Sequence, residues 1–276
     1  MTPTAMKVTV GDLEFDVSTA GREDDIPVVL LHGFPQTSGC WDAVVPLLTA
    51  GGIRTIAPDQ RGYSPGARPL GVEAYASEKL AGDVVGIVEE FGFESVHLVG
   101  HYWGAAIAWQ LAAEHPDIVR SLTAVSVPHT AAFGWAVRFD ADQQERSTYM
   151  KLLREEGKAE AVLLEDGARR LRAMFSDRSP DDRYIEHLSR PGALTAALNW
   201  YRAMTNAFGR LPSVEVPTTF VWSNEDAAIG RAGAERCGDF VDADYSFVEL
   251  DGISHWVPEE APERLAAEIL ARVRSV

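Results

Sequence analysis

The run Val99-Gly-His-Tyr-Trp-Gly-Ala105 sets Gly100 and Gly104 on either side of Tyr102. A sharp strand-to-helix turn needs small residues at that spacing, because bulkier neighbours collide, and it thrusts the central side chain into the space above a sheet. Here that side chain is a phenol. With an ordinary pKa of about 10 it is protonated at neutral pH and weakly nucleophilic, which leaves hydrogen-bond donation and general acid or base work. His32-Gly-Phe-Pro35 follows an apolar run, where the N–H groups of Phe34 and Trp103 would converge as an oxyanion hole. Trp222-Ser-Asn-Glu-Asp226 supplies a carboxylate, Asp226, with Glu225 as its local rival, and Gly252-Ile-Ser-His255-Trp-Val-Pro supplies a loop histidine. His101, beside the elbow's central residue, is expected to point away from the cavity. His97, His115, His129 and His187 lack ligand spacing, so no metal site is expected.

Residues in such a constellation must be held at one edge of a sheet. Lys7–Val10 and Leu13–Ser18 read as a leading hairpin turning at Gly11-Asp12. Pro27–His32, Arg54–Pro58, Val96–Gly100, Leu122–Val127, Thr218–Trp222 and Ser246–Leu250 read as buried strands. Helical patterns fall at Trp41–Ala50, Ala76–Phe91, Trp103–Ala113, Gly230–Cys237 and Pro262–Val276. The alternation predicts an α/β fold with a mostly parallel twisted sheet flanked by helices. Between about Ala131 and Pro212 it stops, giving way to charged amphipathic helical pieces. The expected organisation is one core domain, 1–130 and 213–276, with an inserted helical lid, 131–212. An independent helical domain is the alternative, though it would leave the sheet incomplete.

Composition narrows the partners. The chain has 276 residues, with 25 Lys and Arg against 41 Asp and Glu, a net charge of −16. That balance argues against nucleic acid and against a polybasic membrane patch, and it disfavours strongly anionic substrates. Two cysteines, Cys40 and Cys237, make no disulfide framework; Cys40 reads as packing. The amino terminus lacks the pattern of a signal peptide, and no apolar run is long enough to cross a membrane. The expectation is a cytoplasmic protein, monomer or homodimer, that takes a small-molecule substrate and needs no cofactor.

The chain resembles the α/β-hydrolase fold from about residue 26 onward, and within it the epoxide hydrolase and dehalogenase branch. His32-Gly-Phe-Pro35 is similar to that branch's oxyanion motif, and Asp59-Gln-Arg-Gly-Tyr63 to its next loop. Thr148-Tyr149-Met150 and Ala197-Leu-Asn-Trp-Tyr201-Arg resemble the lid segments that hold two epoxide-polarising tyrosines. The resemblance implies that Tyr149 and Tyr201 donate hydrogen bonds to an epoxide oxygen, that Asp226 orients His255, and that His255 activates water. Phe34, Trp103, His32, Pro35, Trp41, Trp135, Met150, Leu153 and Trp256 are expected around the substrate.

One position departs from the resemblance. The branch carries Gly-His-Asp-Trp-Gly, with Asp as nucleophile, where this chain has Tyr102. A carboxylate that opens an epoxide leaves an alkyl ester, which water can cleave at its carbonyl. A phenolate would leave an aryl ether with no carbonyl to enter, so the two-step route is unavailable. Tyr102 lies near the expected place of His255, which could assist its ionisation. It is then an acid or base in a new role, a plug in an old site, or an introduced substitution. Three functions stay open: an epoxide-hydrolase-like hydrolase of ether bonds acting on a small to medium apolar epoxide or carbonyl compound, a non-hydrolytic cyclase or lyase, and a catalytically silent binding protein.

Overall fold

The computed structural model describes residues 3–175, 181–204 and 210–276. Residues 1–2 of the amino terminus, and 176–180 and 205–209 of the expected lid, lie outside the described residues. Eight strands form one sheet: β1 (Thr4–Val10), β2 (Leu13–Ala20), β3 (Ile26–Leu31), β4 (Ile53–Pro58), β5 (Val96–His101), β6 (Val119–Val125), β7 (Thr218–Ser223) and β8 (Tyr245–Leu250). Their spatial order is β1-β2-β4-β3-β5-β6-β7-β8. The first two pairings are antiparallel and the rest parallel. Strands β5 and β7 are buried at every residue, as continuous apolar runs covered on both faces must be.

Helices α1 (Val45–Ala50), α2 (Ser77–Glu90) and α3 (Trp103–Glu114) cross between strands. The expected helix Trp41–Ala50 is instead a 3₁₀ turn, Ser38–Trp41, followed by α1 with Pro46 in its first turn. Proline lacks the N–H that a helix interior requires, so the helix begins there. Between β6 and β7 come α4 (Thr130–Phe139), α5 (Ala141–Arg146), α6 (Tyr149–Leu153), α7 (Lys158–Ala173), α8 (Asp182–Leu188) and α9 (Ala193–Ala203). These helices lean on the sheet rather than standing apart: the Trp200 indole donates to the Arg61 carbonyl at 2.8 Å. The Arg61 guanidinium is in turn fixed on both Asp83 oxygens, at 2.7 and 2.6 Å. The chain closes with α10 (Arg231–Glu235), α11 (Val257–Glu260) and α12 (Pro262–Arg274). No helix among the described residues is long and apolar enough to cross a membrane.

The chain leaves β3 for β4 on one side, and β5 then joins β3 on the other. Loops at the carboxyl ends of β3 and β5 therefore diverge and leave a crevice, the usual place for a ligand in such sheets. Crossing that crevice tightly depends on two glycines. A Cβ on Gly100 would collide with the Gly104 carbonyl, and one on Gly104 with the Leu31 carbonyl. These are backbone atoms that cannot rotate aside.

Replacing Gly104 with Ala is expected to destabilise the protein by about 3 kcal/mol or more in urea unfolding. Gly82→Ala, at an exposed position of α2 with nothing within 4 Å of the new methyl, should stabilise it by about 0.5–1 kcal/mol. Equal effects at the two positions would contradict the close approach at the elbow.

Candidate active site

Tyr102 sits between β5 and α3 at φ 55° and ψ −114°. A bulky residue held there costs on the order of 1–3 kcal/mol and is retained only where surrounding structure fixes it. Its N–H donates to the Val125 carbonyl at 3.2 Å, and its own carbonyl accepts from Ala106 N–H at 3.1 Å, locking the turn into β6 and α3. Across the turn, Gly33 leaves the room that the Tyr102 side chain uses: a Cβ there would lie 2.5 Å from Tyr102 Cβ.

The phenol oxygen of Tyr102 lies 2.5 Å from that of Tyr149 and 2.7 Å from that of Tyr201. The three hydroxyls carry three protons and share two links, so one proton is left to point elsewhere. Burial pushes all three phenols well above their ordinary range, and for each a neighbouring phenol of the trio adds to the rise. The trio is neutral at physiological pH. Tyr201 is carried by α9, which Trp200 anchors to the Arg61 loop and Arg202 ties to Glu160 of α7 at 2.9 Å. Tyr149 opens α6, directly after α5, which is bound to the acid loop. Gln143 donates to the Ala228 carbonyl and accepts from Gly230 N–H, while Arg146 donates to the Asp226 carbonyl at 2.6 Å.

Asp226 and His255 form a complete pair. His255 Nδ1 lies 2.8 Å from Asp226 Oδ2. The Ser126 hydroxyl donates to the same oxygen at 2.8 Å, and Ala228 and Ile229 N–H groups donate to Oδ1 at 2.8 and 2.9 Å. Burial alone would raise this carboxyl. Attraction to His255, the His255 hydrogen bond and the two backbone donors outweigh it and hold the group below the usual carboxylate range. The His255 imidazole packs edge-on against the Tyr102 ring, 4.8 Å between centroids at 89°. Its expected help in ionising Tyr102 needs correction: the Tyr102 hydroxyl is engaged by the two lid phenols, and it is the Tyr102 ring that meets His255.

A small apolar recess of about 40 Å³ opens beside the three phenols, lined further by Trp103, Ala106, Val127, Thr130, Phe133, Met150, Met204 and Ile229. His255 is not among the lining side chains. Of the expected wall, Met150 and Trp103 line the recess, whereas His32, Pro35, Trp41, Leu153 and Trp256 do not. The reasons are visible in each case. His32 is wholly buried, with Nδ1 3.2 Å from the Gly33 carbonyl and Nε2 accepting from Gln60 N–H at 3.1 Å; it braces the loop that carries Phe34. Burial lowers its pKa to about 4, so it stays neutral. Phe34 is itself buried with its ring edge-on to Tyr201, 5.6 Å between centroids, and Pro35 follows it through a cis peptide bond. Trp41 and Leu153 are core. Trp256 packs between His255 and Phe175, perpendicular to the first at 5.0 Å and stacked on the second at 4.6 Å. Trp135 lines a neighbouring groove, with the Arg236 guanidinium 4.3 Å above its ring. His101 is buried beneath the elbow with Nε2 2.9 Å from the His255 carbonyl, and burial and the nearby His255 lower its pKa to about 3. Among the described residues no group of three or more His, Cys, Asp or Glu is placed to hold a metal ion.

Residues 26–262 match the family described as alpha/beta hydrolase fold. The chain is 34% identical over 266 residues to the AB hydrolase superfamily protein YfhM of Bacillus subtilis, covering 92% of each. It is 30% identical to Epoxide hydrolase A of Mycobacterium tuberculosis, over 97% of this chain and 96% of that one. The chain belongs to the alpha/beta hydrolase fold family, in its epoxide hydrolase-like branch. Among solved structures, the hydrolase resembles Epoxide Hydrolase A from Mycobacterium thermoresistibile with a TM-score of 0.86 and 29% identity, over 99% of this chain and 98% of that one.

Two features of this alpha/beta hydrolase escaped the reading of its sequence. Ser126, with φ 68°, ends β6 and bonds the Asp226–His255 pair; the expected strand ran through it to Val127. A lone serine closing an apolar run was the available signal. Gln60 braces His32 from inside the Asp59-Gln-Arg-Gly loop, its amide donating to the His32 carbonyl at 2.6 Å.

Unfolded tyrosines ionise near pH 10, while all seven in this chain are held above that when folded. The folded state then keeps protons that the unfolded chain releases, so stability is intact below pH 10 and falls as pH rises past it. Native phenolate absorbance should stay flat through pH 10, and Tyr102→Phe should reduce the alkaline loss of stability by about 1.4 kcal/mol per pH unit. Five or more phenols titrating near pH 10 in folded protein would include at least one of the three and contradict the burial of the trio.

Proposed function

We propose that this chain is an epoxide-hydrolase-like enzyme in which the trio of Tyr102, Tyr149 and Tyr201 moves the proton, and water attacks carbon directly. The distances of 2.5 and 2.7 Å from the Tyr102 hydroxyl to the two lid phenols, at the wall of an apolar recess, carry this reading. The remaining phenol proton is donated to the oxygen of a small to medium apolar epoxide. As the C–O bond breaks, that oxygen takes the proton, and the phenolate left behind is held by hydrogen bonds from its partners. The attacking water forms the new C–O bond and returns its proton to the phenolate. Burial makes that phenolate a strong base, so the cycle closes with a diol and an unchanged protein. No ester or ether to the protein is formed. A carbonyl oxygen in the same place would be polarised in the same way.

His255 and Asp226 stand behind the Tyr102 ring in this reading. They fix the ring edge-on rather than relay the proton. The apolar lining favours a second reading: a substrate that carries its own hydroxyl uses the same proton circuit to close a ring, without admitting free water.

Tyr102→Phe is expected to lower kcat for epoxide opening by about 10²–10⁴, the range of general acid catalysis, with His255→Ala costing less than about tenfold. Tyr102→Asp should divert the reaction through a protein ester detectable by intact mass. Retention of activity in Tyr102→Phe within about tenfold would overturn the proposal, as would a larger loss at His255 than at Tyr102. Cyclic ether in place of diol would select the second reading.

A further inference from the structure

A groove beside the recess is lined by Arg138, Lys151, Arg154 and Arg210 and, among the described residues, by no carboxylate. In a chain of net charge −16 this local balance runs against the whole. Among the described residues none of these four cations makes an ion pair. Arg154 directs an N–H to the Met204 thioether at 3.1 Å, a weak acceptor for a strong donor. Arg138 lies 5.1 Å over the ring of Phe139, which is 61% exposed. The groove and the recess share Thr130, Phe133, Met150 and Met204, so the cationic rim adjoins the recess of the phenols across these four residues.

We propose that this groove holds the anionic head of an amphiphilic substrate, with Lys151 and Arg154 as its principal partners, while the apolar tail runs past Met150 and Met204 toward Tyr102. The proposal rests on the recess being the reaction site. The negative charge of the whole chain disfavours anions at its surface at large, but over a Debye length of about 8 Å it is the nearby cations that an anion meets. A head held at the rim sets how far along the tail the reactive carbon falls, so the groove selects by length as well as by charge.

Calorimetric titration with decanoate and with decanol tests this on the full chain. Wild type should bind decanoate at least tenfold more tightly than decanol, as one charge-assisted contact provides. That preference should disappear in Lys151→Glu/Arg154→Glu and shrink as salt is raised. Equal binding of the two ligands, or a preference that survives in the double variant, overturns the proposal. Turnover of an uncharged epoxide by wild type separates the two failures: if it persists, only the anion site is lost; if it too is absent, the reading of the recess falls with it.

Discussion

The hydrogen bonds between the Tyr102 hydroxyl and the phenols of Tyr149 and Tyr201 are the constraint on which the site depends. They join the elbow of the sheet to two helices of the insertion, and they do so with groups that burial keeps neutral. A trio of buried hydroxyls is costly unless each finds a partner, because an unsatisfied polar group forfeits its solvation. Their mutual bonding both closes the lid onto the core and leaves a proton available. In the proposed reaction, structure and chemistry share the same contacts.

The rest of the fold can be understood as support for that meeting point. Gly100 and Gly104 let β5 and α3 approach the end of β3, which forces Tyr102 into its strained conformation. Ser126, Ala228, Ile229 and His255 fill the four lone-pair directions of Asp226, so the carboxylate is charged but fully bonded. Such a group is rigid, and it holds the imidazole edge-on to the Tyr102 ring. The pair has an aromatic ring on the side facing the recess.

Much of this was legible in the chain. Apolar runs marked the strands because burial on both faces leaves no polar position to blur the pattern, and glycine spacing marked the elbow because backbone collision admits nothing larger. What stayed hidden depended on direction. The order of Tyr102, Asp226 and His255 says nothing of whether a phenol turns toward an imidazole or toward a lid. Ser126 reads as strand in the sequence, because its role lies in a left-handed φ that an apolar run does not announce. Net charge averaged away the groove of Arg138, Lys151 and Arg154, since cations gathered by folding are scattered among acids in the sequence.

The most direct test follows the oxygen atom. With enzyme in excess over an epoxide in ¹⁸O-enriched water, the account predicts one labelled oxygen in the diol from the first turnover, and none incorporated into the protein. Unlabelled diol in the first turnover, with label appearing in the chain, would mean that a protein group had supplied the oxygen, and would contradict direct attack by water.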